Sequence, residues 1–182
     1  LFKRLESGGY AYLVSIERHI LRNFIFMYAI DNGLPLPLGQ TDSSLIDKQT
    51  DQDQEFSTDM LDSENTEDEE SIQDEFTLAL NKSEEDFLKK AEKIYNIYER
   101  RYPRRFRWIG TNLFTKKLRI DLHSDANFLR ELLVKFGEWK AEEDTKLNAL
   151  HKLVTKDHPD KKILIFSQFA DTVEYLEKNL KK

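Results

Sequence analysis

Between Thr41 and Leu80 the chain carries fourteen acidic residues and one basic residue, Lys48, a balance of −13. Large apolar side chains there are few and follow no sustained period, and repulsion between carboxylates resists collapse. No packed core is expected from such a stretch, so residues 41–82 read as a flexible acidic insertion, with transient helix at most around Ile72–Leu80. A tolerated surface loop is the plain reading; a DNA-mimicking or autoinhibitory role is the sharper one. The remainder of the 182 residues holds 27 basic and 20 acidic side chains. The net charge of −6 therefore averages an acidic stretch with a basic remainder that could face a polyanion.

The flanking segments read as helices. Tyr12, Leu13, Ile16, Ile20, Phe24, Met27 and Tyr28 recur at three- and four-residue spacing, which predicts a helix from Leu1 to Asp31 bent near Gly8-Gly9. Asn32-Gly33 is a stop signal, and Pro35 and Pro37 forbid continuation. A helix of that length is expected to form a long arm over residues 1–40. Ser83 with Asp86 three residues later forms a capping box opening a helix with Phe87, Ala91, Ile94, Tyr95 and Tyr98 on one face, ended by Pro103. Ser124 is the next credible cap, for a helix closed by Gly137. Asp144 caps another that carries Leu147, Leu150, Leu153 and Val154 and stops at His158-Pro159. Ile163–Phe166 has no polar face and reads as a strand buried on both sides, followed by a helix. The expected fold is mainly α: a helical region over 83–143, then the first βα unit of an α/β lobe over 144–182, with an incomplete sheet.

Several chemistries are excluded or weakened. With no cysteine there is no disulfide framework, thiolate zinc site or cysteine nucleophile, which suits a reducing, cytoplasmic setting. No stretch has the length and apolarity of a membrane span, and a membrane partner is not expected. Neither a GxxxxGK[ST] phosphate loop nor a GxGxxG occurs, and Gly8-Gly9 reads as a bend. Asp121, His123 and Asp125 alternate, but without a supporting motif they do not predict a metal site.

Two groups remain as binding candidates. In ERRYPRRFRW, Arg100, Arg101, Arg104, Arg105 and Arg107 interleave with Tyr102, Phe106 and Trp108. Guanidinium groups fit phosphates bidentately, and the aromatics could stack on bases. Alternatively Phe106 and Trp108 anchor a core while the arginines pair with local carboxylates. Ser167, Gln168 and Phe169 follow the expected strand at its carboxyl end, where ligands bind in parallel α/β sheets. Capping of the next helix by Ser167 is the competing reading.

KKILIFSQFADTVEYL (161–176) resembles helicase motif IV, the first strand and helix of the second RecA-like lobe in superfamily 2 helicase-like ATPases, in the form common among Swi/Snf-type DNA translocases. DTKLNALHKLV (144–154) resembles the helix that introduces that lobe. LFKRLESGGYAYLVSIERHI and WIGTNLFTKKLRIDLHSDANFLRELL are similar to the inter-lobe helical region of bacterial Swi/Snf-like helicase-related proteins. The resemblance implies a fragment of an ATP-dependent translocase acting on duplex DNA, with ATP and Mg bound by the parent protein and none by this chain. The phosphate loop with its Asp-Glu pair would precede Leu1, and the arginine finger would follow Lys182. It implies further that Ser167, Gln168 and Phe169 lie near the tracked strand, that the helices grip duplex DNA or couple lobe movement, and that the rest of both lobes is the chain's intramolecular partner. A non-enzymatic helical protein-interaction module, with the acidic segment regulating access, is the rival expectation.

Overall fold

The computed structural model describes residues 2–38, 83–104, 106–167 and 169–180. The acidic insertion lies outside them. Helix α1 (Phe2–Ser7) is followed at once by α2 (Gly9–Asp31), with the expected break at Gly8, whose backbone is extended. Gly9 has a packing reason to be glycine: a Cβ there would stand 2.5 Å from Cη2 of Trp139. At the other end Gly33 adopts φ +66°. Its N–H donates to the Ile30 carbonyl, and that of Leu34 donates to Ala29. This paired bonding satisfies carbonyls that the helix end leaves open, and it needs the left-handed conformation that glycine adopts without strain.

The predicted apolar face of α2 forms, but the helix is no projecting arm. Thirteen of its 23 residues are buried, because the other helices enclose it. Ile20, Phe24 and Ala29 are fully inaccessible to solvent. At about 1.5–3 kcal/mol per large buried side chain, α2 is the main source of core stability.

Strand β1 (Leu36–Leu38) pairs antiparallel with β2 (Arg107–Ile109), Pro37 standing opposite Trp108. Between them in sequence lies α3 (Glu84–Arg101), opened by the predicted capping box: the Asp86 N–H donates to Ser83 Oγ, and the Ser83 N–H donates to the Asp86 carboxylate. Three acidic residues in its first turn and Arg100 and Arg101 in its last complement the helix dipole. The five predicted apolar residues are buried. Phe87 stacks on Phe24 at 5.3 Å between ring centres, and the Tyr95 hydroxyl donates to the Pro35 carbonyl at 2.8 Å, tying α3 to the chain entering β1.

Helix α4 (Lys116–Phe136) starts well before the expected cap at Ser124. Leu118, Leu122, Ala126, Leu129 and Leu133 make one continuous stripe of half-buried and buried residues against the core, while Ser124 is exposed at mid-helix. Gly137, at φ +67°, closes it as predicted. Asp144 caps α5 (Thr145–Lys152) by accepting from the Lys146 and Leu147 N–H groups. Only Leu147 of its predicted face is buried. The helix passes into a wider turn over Leu153–Asp157 that ends at His158.

The mainly helical class stands, with a small sheet. Residues 163–166, however, form no strand. Leu164 is 82% exposed and Phe166 89%, because the sheet formed among the described residues is β1–β2 alone. Without a neighbouring strand, an apolar run has nothing to pair its backbone or cover its side chains as a sheet would. The helix expected after it, α6 (Ala170–Leu180), does form. Among the described residues no helix is long and apolar enough to cross a membrane.

Candidate nucleic-acid interface

Arg100 and Arg101 occupy the last turn of α3, Arg104 follows Pro103 in the connecting turn, and Arg107 opens β2. All four are exposed. Arg105 lies outside the described residues. The aromatics interleaved with them serve the core. Phe106 is buried and stacks on Tyr98 at 4.4 Å. Trp108 donates its indole N–H to the Pro103 carbonyl at 2.7 Å and sets its edge against Tyr95. Tyr102 packs against the same cluster. Of the two readings of Phe106 and Trp108, these contacts favour the anchoring one: Phe106 is buried, and Trp108 is half-buried against the core. The exposed arginines flank these rings, and exposed guanidinium groups are suited to phosphate contact.

The second candidate group lies elsewhere. Ser167 Oγ accepts from the Phe169 N–H at 3.2 Å, and the Phe169 carbonyl accepts from Thr172 and Val173 at the start of α6. The serine hydroxyl is thus engaged in shaping the turn that leads into the helix. The Phe169 ring lies 4.1 Å beneath the Arg4 guanidinium. Gln168 lies outside the described residues. This turn packs beside α1 and the N-terminal half of α2, whereas Tyr95, Trp108 and the arginine turn gather at the C-terminal half, around Tyr28. The ten helical steps from Arg18 to Tyr28 span about 15 Å of helix axis. The fold does not merge the two groups into one site.

A third cluster has no signature in the sequence. Asp171, in the first turn of α6, is 7% exposed and is held by two arginines. Arg18 grips it bidentately, Nη1 to Oδ2 at 2.6 Å and Nη2 to Oδ1 at 2.7 Å, and Arg4 Nη1 adds a third contact to Oδ2 at 2.6 Å. Burial by itself pushes the Asp171 carboxyl up, but hydrogen bonds and charge from Arg18 and then Arg4 outweigh it and hold the group below its usual range. Nothing local announces this arrangement, because the partners are 153 and 167 residues apart.

The alternating Asp121, His123 and Asp125 do not converge. His123 reaches Glu84 on α3 at 3.2 Å, while Asp125 turns to α2, meeting His19 at 3.1 Å and Asn23 at 2.6 Å. These polar bridges fasten α4 to its two neighbours. Among the described residues no group of three metal-ligating side chains gathers. Nor does Gly8-Gly9 form a phosphate cradle, since the Trp139 indole fills the space beside Gly9. No family model, curated protein or solved structure matches the chain.

Proposed function

We propose that this chain is a DNA-contacting helical part of an ATP-dependent, helicase-like translocase, working in the cytoplasm. The observation that carries this reading is the exposed arginine turn of Arg100, Arg101, Arg104 and Arg107 on an aromatic base. Guanidinium groups held away from the core can meet the phosphates of a duplex bidentately, and they do so without reading sequence. The motif-like run from Lys161 to Leu176 supports the helicase class, and the exposed Leu164 and Phe166 fit a segment that joins a larger sheet. ATP and Mg belong to other parts of the parent protein, and the chain alone is expected to turn over no ATP.

Duplex DNA affinity measured at several salt concentrations tests the proposal. Each phosphate contact contributes roughly 0.9 to the slope of log affinity against log salt. Changing Arg100, Arg104 and Arg107 together to Gln should weaken binding and flatten that slope by about 2 to 3. An affinity and slope identical to wild type would rule the arginine turn out as a DNA contact.

The second reading, a non-enzymatic protein-interaction module regulated by its acidic segment, is favoured by the exposed Ile120, Phe128 and Val134 on α4. Under it the same titration shows no salt-dependent DNA binding in the wild-type chain.

A further inference from the structure

The attachment of α6 differs in kind from that of α2, α3 and α4. Its one buried side chain is the charged Asp171, and among the described residues none of α6 enters the apolar core shared by α2, α3 and α4. Polar and aromatic contacts fasten it. Besides the two arginines on Asp171, Ser7 Oγ and Thr172 Oγ1 share a hydrogen bond at 2.8 Å, and Tyr10 stacks on Tyr175 at 4.7 Å. A cleft of ≈120 Å³ remains between the Ser7-Gly8 break, α5 and α6, lined in part by Leu147, Leu150 and Leu176. The segment 161–166 preceding α6 is largely exposed and forms no helix or strand.

A buried ion cluster gains little net stability over the same ions in water, because desolvation offsets the attraction. A helix docked by such a cluster over an incompletely filled cleft, with no side chain in the core, has less apolar burial to lose when it leaves than α2, α3 or α4. It belongs to the low-stability end of the molecule, where separate opening occurs. We propose that α6 is a detachable element, and that Arg4, Arg18 and Asp171 form the latch that docks it on the α1–α2 bend. Asp171 then acts as a positioning residue: the contact that docks α6 also sets Phe169 under Arg4 and so orients the Ser167–Phe169 turn. The inference stands on these contacts alone and does not depend on DNA binding.

Amide hydrogen exchange on the whole chain tests it. In the wild type, α6 should exchange through an opening of lower free energy than that of the inner amides of α2 and α3, and Asp171→Asn should speed α6 exchange by on the order of a hundredfold. Equal wild-type protection of α6 and of the inner amides of α2 and α3 would show one cooperative unit and overturn detachment, and unchanged α6 rates in the variant would overturn the latch. A second variant does not disturb the latch. The chain has no cysteine, so Ser7→Cys with Thr172→Cys introduces a single pair where two hydroxyls already touch. Oxidised, it should slow α6 exchange at least tenfold relative to the reduced form of the same protein. Equal rates in the two forms would overturn detachment, and failure of the pair to oxidise would overturn the docked geometry.

Discussion

Asp171 shows how a charge can be both buried and ionised. Three hydrogen bonds from Arg4 and Arg18 replace the water it loses, and charge-assisted bonds of this kind are the strong ones. Its carboxyl titrates lower in the folded chain than in the unfolded one, so the unfolded state binds the proton more readily. The stabilisation is therefore complete above about pH 4 and is lost as the pH falls through the lower folded value. Thermal melts between roughly pH 2 and 6 should show an acid-side loss of stability in the wild type, and Asp171→Asn should flatten that part of the profile. A variant profile parallel to wild type would mean that other carboxylates govern acid unfolding. The arginines at 100, 104 and 107 have the opposite character: they stay in water, so their value lies in what they meet and not in what they stabilise.

At the scale of elements, the α1–α2 break and Trp139 are coupled through Gly9. Placing Ala at a helical Gly position ordinarily gains about 0.5–1 kcal/mol. Here the new methyl meets the indole ring at 2.5 Å, and overpacking of that kind costs about 1–3 kcal/mol. The ring cannot swing aside freely, because its N–H donates to the Tyr175 hydroxyl. Gly9→Ala should therefore destabilise the chain in chemical denaturation, whereas in a Trp139→Leu background the same change should be neutral or stabilising. Equal effects in both backgrounds would show no coupling. Boundaries such as these were legible where a backbone need has a local chemical answer: Ser83 with Asp86, Asp144, Gly33 and Gly137 all end or begin helices as their residue types predict. Ser124 misled because a good capping residue also sits without penalty on the solvent side of a helix, and the Leu118–Leu122 start of the apolar stripe is short. The strand at Ile163–Phe166 failed for a different reason: apolar, β-branched sequence favours a strand only where neighbours exist to pair with it. The arginine turn was visible as composition, but the roles of Phe106 and Trp108 were decided by contacts with Tyr98 and Tyr95. The Asp171 cluster was invisible, since charged residues on amphipathic helices read as solvated until distant partners bury them.

Across the whole molecule, apolar surface is distributed unevenly. The core is sealed around α2, while Leu164 and Phe166 stand in solvent. Replacing both with Ser should leave the melting temperature nearly unchanged, within about 0.5 kcal/mol per site, and should reduce self-association in sedimentation runs. A large loss of stability would mean that these side chains are buried in solution. The arrangement of the core has a further consequence for synthesis. Helix α2 precedes almost everything that covers it: Asn23 and its partner Asp125 are 102 residues apart, and Phe24 must wait for Phe87. On the ribosome, at about 5–20 residues per second, the most apolar helix emerges roughly 5–20 s before α4 is available to cover it. Next out of the exit tunnel comes the stretch with fourteen carboxylates, whose charge keeps the unfinished chain in solution until its cover arrives.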